Sequence, residues 1–318
     1  MKSSGTERLK YHLLAFVVVA IWGSTFVFTK MLLNTGLSPA EIFTLRFVIA
    51  YVLLLGYDLF SIRGGIRSSL QEPCTPRTSL FASSWRDELL MVALGISGGS
   101  VYFLAENAAM LYTTTTNTSL IVCSCPLFAM LLIALFYRQS ERFTITQLAG
   151  SLIACAGMAA VVLNGHFVLH LSPVGDLLAF AACLLWALYS LLMRVVASRY
   201  SSLFLTRKVF FYGLVTIVPY FLWIEDFNFS IFHSFSLPVL LNLLFLGVIA
   251  SMACFLTWSW VIKKLGAVEA TNWVYVNPVS TIFFAWWLLD EQITPWFLLG
   301  AILILVGMYL CDRHGTEA

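Results

Sequence analysis

The chain has 318 residues, of which 60% are hydrophobic and 11% charged, with a mean hydropathy of +0.89 and a net charge of +2. Soluble domains carry about 25% charge, so this chain cannot build a water-facing shell, and disorder, collagen and disulfide scaffolds are excluded with it. The composition is that of an all-α integral membrane protein, and the near-neutral charge points to no nucleic-acid partner.

A helix needs about 20 residues to cross the hydrocarbon layer. Ten apolar runs follow one another at 13–33, 41–62, 89–111, 115–136, 145–163, 176–196, 205–224, 239–261, 268–289 and 295–311. They are too long and too uniform to be strands. Ten transmembrane helices leave no room for a large soluble domain. The first run follows basic residues, like a signal peptide, but the many later spans make it an uncleaved first helix. The connection 63–87 is polar, with a short surface helix expected around Ser79–Ser84.

Sixteen of the 18 Lys and Arg fall in the N-terminal tail, in or at the span ends beside every second connection, and after the last run. They include Lys2, Arg8 and Lys10, then Arg63, Arg67, Arg77 and Arg86, and later Arg194, Arg199, Lys263 and Lys264. The alternate connections carry none. Basic residues stay on the cytoplasmic side, so both termini are expected there, with the chain multi-pass in the inner (plasma) membrane. The two exceptions, Lys30 and Arg46, lie within spans.

The seven cysteines lack zinc-type spacing and read as small buried hydrophobes. No HExxH, P-loop, GxSxG or dinucleotide fingerprint occurs. His166 and His170 are four apart but have no acidic or cysteine partner nearby. No cofactor, no metal and no enzymatic activity are expected, and the missing ATP-binding motif argues against a primary pump.

The halves of the chain resemble each other. Trp22 aligns with Trp186, and Lys30 with Arg194. Leu94-Gly95, Phe103-Leu104 and Pro126 align with Leu246-Gly247, Phe255-Leu256 and Pro278. Glu141, Gly150 and Gly157 align with Glu291, Gly300 and Gly307. Five spans is an odd number, so the second half must be inverted relative to the first. The expected fold is two inverted five-helix repeats, 1–163 and 164–318. Such repeats are the physical signature of secondary transporters.

The residues that carry a family resemblance run in order along the chain: Ile21-Trp22-Gly23-Ser24-Thr25, Arg46-Phe47, Pro126 to Glu141, and Gln147-Leu148-Ala149-Gly150 to Gly157. Gly175-Asp176 to Trp186-Ala187-Leu188-Tyr189, Leu265-Gly266-Ala267 to Asn277-Pro278, and Glu291, Gly300 and Gly307 complete the set. In these motifs, across nearly the whole chain, the sequence resembles the drug/metabolite transporter (DMT) superfamily, EamA-type permeases. The resemblance implies export or exchange of small metabolites, amino acids among them, through a central cavity. It also implies that helices 1, 3, 4, 6, 8 and 9 form the pathway. Leu104-Ala105-Glu106-Asn107 departs from the family, where many relatives are less acidic.

Glu106 is the most informative residue. It lies about five residues inside its span, roughly 8 Å along the axis, where an acid is costly unless paired or wet. It is a candidate to carry a coupling proton, to bind a cationic group of the substrate, or to pair with Arg46 or Lys30. Arg46 either neutralises an anionic substrate or snorkels to the headgroups. Lys30 reads mainly as an interfacial anchor.

Pro126 and Pro278 each bend a helix and free a carbonyl. The polar residues near them, Asn117, Ser119, Asn272, Tyr275 and Asn277, are cavity candidates, with helix–helix hydrogen bonding as the alternative. Trp22, Trp186, Tyr102, Tyr189 and Asn107 complete the set. Gly95 and Gly99, and the Gly150/Gly157 and Gly300/Gly307 pairs, read as helix-packing faces; a monomer or weak dimer fits them.

The expected function is a secondary active transporter moving a small-molecule substrate across the bilayer. It is an exporter of amino acids or related polar compounds by alternating access. Export of lipophilic cations is the alternative within the class, and a membrane-embedded enzyme or a channel the alternative outside it.

Overall fold

The computed structural model describes residues 5–63, 81–113, 115–136, 144–163, 172–229, 235–289 and 295–312. Among these residues the chain is helical and contains no strand. In lipid a backbone must satisfy its own polar groups, and a helix does so within one segment.

We number the helices in chain order: α1 is Gly5–Leu33, α2 Pro39–Arg63, and α3 Trp85–Tyr112. α4 has two pieces, Thr115–Val122 and Cys125–Phe136, and α5 is Ile145–Leu163. α6 is Pro173–Val196, α7 Ser202–Trp223, and α8 Leu237–Leu265. α9 has three pieces, Ala267–Asn272, Trp273–Val276 and Asn277–Leu289, and α10 is Pro295–Asp312. Seven of the helices are long and apolar enough to cross a membrane, and α5 and α10 contribute shorter apolar stretches. Residues such as Val52, Leu135, Leu152, Val215 and Leu305 are exposed on the outside, as a lipid-facing surface requires.

Several helices start before their apolar runs because polar caps set the starts. The Ser84 hydroxyl accepts from the Asp87 amide at 3.2 Å, Ser172 from Gly175 at 3.4 Å, and Ser201 from Phe204 at 3.2 Å. Each satisfies an amide that has no partner in the first turn. Residues 81–84 are therefore the approach to a cap and not the surface helix expected there. The rest of that segment, 79–80, lies outside the described residues.

Four helices are irregular in their middles, and these places shape the site. α3 widens to a π-helix at Ile96–Ser100, with non-helical torsions at Gly99 (φ −131°, ψ −110°). α8 does so at Phe245–Ala253. α4 breaks at Cys123 and Ser124, where the Ser124 hydroxyl turns back to the Ile121 carbonyl at 2.6 Å. α9 tightens to a 3₁₀ turn at Trp273–Val276. Pro126 and Pro278 each stand second in the helical piece that follows, where a missing amide proton costs little.

Small residues let the irregular helices close on their neighbours. A Cβ on Gly95 would fall 2.8 Å from the Gly213 amide nitrogen of α7. One on Gly98 would enter the Tyr189 ring of α6. The α5 and α10 glycines meet each other. A Cβ on Gly150 would fall 2.7 Å from the Gly307 carbonyl oxygen, and one on Gly157 2.7 Å from that of Gly300. These two glycine faces therefore pack against each other within one chain. Gly157→Leu is expected to cost about 1–3 kcal/mol by overpacking, seen as a lower Tm of the purified protein in detergent. An unchanged Tm would show that the close approach contributes nothing to stability.

Candidate functional site

α1 brings Trp22, Thr25 and Phe26 to the middle of the bundle. Gly23 makes this possible, since a Cβ there would fall 2.7 Å from the Asn277 carbonyl oxygen of α9. The contact is stitched by Ser280, whose hydroxyl donates to the Ala20 carbonyl at 2.5 Å, and by Thr281, which donates to Gly23 at 2.9 Å. The Trp22 indole donates to the Ala250 carbonyl at 2.9 Å, inside the π segment of α8. A π turn leaves carbonyls off the ordinary ladder, and here one of them orients a cavity tryptophan.

The cavity there is small, about 30 Å³, room for one or two water molecules. Besides the three α1 residues it is lined by Arg46 of α2, by Tyr102, Phe103 and Glu106 of α3, and by Val122 and Cys125 of α4. Trp186 of α6, Phe255 of α8, and Val274 and Asn277 of α9 close it. Its walls are aromatic. The Trp22 and Trp186 ring centroids are 5.3 Å apart, Trp22 and Phe255 5.6 Å, and Tyr102 and Trp186 5.1 Å.

Two opposite charges face this space. Arg46 is 1% exposed, and its guanidinium lies 4.4 Å from the centre of the Phe103 ring. Its Nε donates to the Ser251 hydroxyl at 2.9 Å, again in the π segment of α8. Among the described residues its two terminal nitrogens have no hydrogen-bond partner. Glu106 is 7% exposed, and its Oε1 accepts from the Tyr102 hydroxyl at 3.2 Å. Its other oxygen takes no hydrogen bond from a described residue. The two side chains share one cavity and form no direct ion pair.

The sequence matches the EamA-like transporter family over residues 9–163 and again over residues 173–311. The chain belongs to this family. An uncharacterized transporter of Archaeoglobus fulgidus is 26% identical over 309 residues, covering 95% of this chain and 96% of its own. A probable amino-acid metabolite efflux pump of Escherichia coli K12 is 23% identical over 305 residues, covering 93% of each chain. A crystal structure superposes with a TM-score of 0.68 at 19% identity, covering 97% of this chain and 98% of its own, which speaks for the fold. This EamA-family chain is a multi-pass membrane protein of the transporter class.

The structure of this family member sorts the residues singled out from the sequence. Trp22, Tyr102, Glu106, Trp186 and Asn277 line the cavity, and so does Arg46. The others do not. Arg46 is buried rather than snorkelling to headgroups. Lys30 does not pair with Glu106; its ammonium donates to the Met110 carbonyl at 2.7 Å, in the last turn of α3. Asn107 turns to α2 and donates to the Pro39 carbonyl at 3.1 Å. Tyr189 is fully buried behind Trp186, with ring centroids 5.0 Å apart. Tyr275 points towards α5, where the Cys155 thiol meets its hydroxyl at 3.8 Å. Ser119 and Asn272 are buried away from the cavity. The Asn117 side chain lies outside the described residues.

The residues missed were Thr25, Phe26, Phe103, Val122, Cys125, Phe255 and Val274. A signal for three of them was present in the internal repeat. Trp22 pairs with Trp186, Phe103 with Phe255, and Cys125 with Asn277, and all six members line the cavity. The acid breaks this symmetry. The position equivalent to Glu106 is Trp258, whose ring lies 5.1 Å from Trp22.

Proposed function

We propose that this protein is a secondary active exporter of amino acids or related polar compounds, working by alternating access. In this reading it crosses the inner (plasma) membrane ten times as two inverted five-helix repeats, with both termini in the cytoplasm. It performs no covalent chemistry on its substrate. The observation that carries the reading is the pair of unlike charges, Arg46 and Glu106, facing one aromatic cavity with hydrogen-bonding capacity left over. A zwitterion complements both charges. A lipophilic cation complements Glu106 alone and leaves the buried guanidinium uncompensated. The name of the Escherichia coli relative, an amino-acid metabolite efflux pump, points the same way.

Alternating access is supported by where the ion pairs lie. Arg8 meets Glu269 at 2.6 Å, and His12 meets the other oxygen of that carboxylate at 3.1 Å. Arg199 meets Asp87 at 2.8 Å, and Lys208 meets Glu88. Each joins the first half of the chain to the second, at the end of the bundle where the basic residues cluster. A carrier that opens towards the cytoplasm must part such contacts and remake them to close. A cavity of about 30 Å³ is likewise too small for an amino acid, so the helices around it must separate for loading. Glu106 supplies the coupling: it holds the substrate's ammonium in one half of the cycle and a proton in the other.

Counterflow tests the reading. Proteoliposomes loaded with unlabelled L-leucine, L-methionine or L-phenylalanine are expected to accumulate the labelled compound transiently and saturably. A channel gives flux without this overshoot, and a lipophilic-cation carrier gives it for tetraphenylphosphonium and for no amino acid. Either result would overturn the proposal.

A further inference from the structure

Two further polar atoms beside this cavity have no partner. The indole nitrogen of Trp186 and the side-chain oxygen of Asn277 belong to cavity-lining residues 4% and 6% exposed. Among the described residues neither atom makes a hydrogen bond, while the Asn277 side chain also meets the Cys123 thiol. Buried polar groups are ordinarily satisfied, and each exception calls for an explanation. By contrast the Trp22 indole, on the equivalent helix of the other half, donates to Ala250.

The chemistry of the two atoms fixes what can satisfy them. An indole N–H only donates, so its partner must be an acceptor; an amide oxygen only accepts, so its partner must be a donor. With Arg46 and Glu106 added, the site offers two donors and two acceptors awaiting partners. An α-amino acid presents the complement, a carboxylate that only accepts and an ammonium that only donates. The remaining wall of Trp22, Phe103 and Phe255 suits an apolar side chain.

We propose that Trp186 and Asn277 determine specificity in this cavity: Trp186 donates to the carboxylate of an apolar α-amino acid, and Asn277 accepts from its ammonium. The inference rests on the amino-acid export reading and deepens it. It requires both ends of the substrate to be unmodified, because a ligand lacking either end leaves a buried group unpaired.

The test is competition against counterflow of labelled L-phenylalanine in proteoliposomes, with two probes that each lack one end. Phenethylamine has no carboxylate, and N-acetyl-L-phenylalanine has no ammonium. In the wild type both are expected to compete at least about tenfold more weakly than L-phenylalanine. Trp186→Phe is expected to weaken L-phenylalanine and N-acetyl-L-phenylalanine by about tenfold and to leave phenethylamine within about twofold. Asn277→Leu is expected to weaken L-phenylalanine and phenethylamine and to spare N-acetyl-L-phenylalanine. If phenethylamine competes as well as L-phenylalanine in the wild type, or if both variants shift all three compounds alike, the inference falls while amino-acid export stands. If neither L-phenylalanine nor any other tested amino acid exchanges at all, export itself is overturned and this inference with it. Should one variant fail to fold, the other variant and the wild-type series can each still overturn the inference.

Discussion

Glu106→Gln is expected to abolish the acceleration of export by an inward pH gradient while the protein still inserts and purifies. The wild-type carboxylate can hold either a proton or the substrate's ammonium, and the exchange of one for the other links the two fluxes. Glutamine is neutral in every state and has no proton to trade. It keeps nearly the same shape, and its amide oxygen can still accept from the Tyr102 hydroxyl that meets Glu106 at 3.2 Å. Folding should therefore change little. Binding of the ammonium loses a charge-assisted hydrogen bond, a cost of about 1.5–3 kcal/mol. Counterflow without a gradient should fall about tenfold or more, and the residual flux should no longer respond to external acid. Glu106→Asp keeps the ionisable group one methylene shorter and should retain a pH response at a lower rate. The measurement is efflux of labelled L-phenylalanine from preloaded proteoliposomes with and without external acidification. A Glu106→Gln protein that still speeds up in acid assigns coupling to another residue.

That one acid carries so much of the argument shows what a sequence of this kind discloses. Seven spans were legible because lipid permits little but long apolar helices. α5 and α10 were readable as packing helices because glycine pairs seven apart leave no other purpose on an apolar face. The cavity was legible only where two constraints met. Trp22, Trp186 and Asn277 are bulky or polar residues at repeated positions, and they line it. Asn107, Tyr189 and Tyr275 are as polar or as aromatic, yet they face neighbouring helices. A polar residue within a span announces that it faces protein, and whether that protein is a cavity wall or a packed helix depends on neighbours distant in sequence. Asn107 satisfies the Pro39 carbonyl only because α2 begins beside α3. The π segments were invisible too. Gly98 and Gly99 hint at the one in α3, but Phe245–Ala253 has the composition of any apolar helix. The residues those segments hold, Arg46 through Ser251 and Trp22 through Ala250, could be recognised as candidates but not placed.

Arg46 should behave as the opposite pole of the same site. Arg46→Met removes the charge while keeping an unbranched chain of similar reach over Phe103. Exchange of L-phenylalanine is expected to fall about a hundredfold, because a carboxylate would enter a buried site with Glu106 as the only remaining side-chain charge. Losing one partner of such a contact costs about 3 kcal/mol or more. Phenethylamine has no carboxylate to repel, and it should bind the variant at least as well as it binds the wild type. Arg46→Lys restores charge without the planar fork, so it should recover exchange only in part. A structural role predicts something else. If Arg46 and Glu106 mainly held each other, Arg46→Met and Glu106→Gln would each lower the Tm strongly, and the double variant would recover much of the loss. If they hold opposite ends of a substrate, the double variant shows no recovery of stability, and what separates the single variants is ligand preference. The absence of a direct contact between the two side chains favours the second outcome. A double-mutant cycle on Tm, run beside competition by phenethylamine, separates a charge pair that builds the bundle from one that reads its cargo.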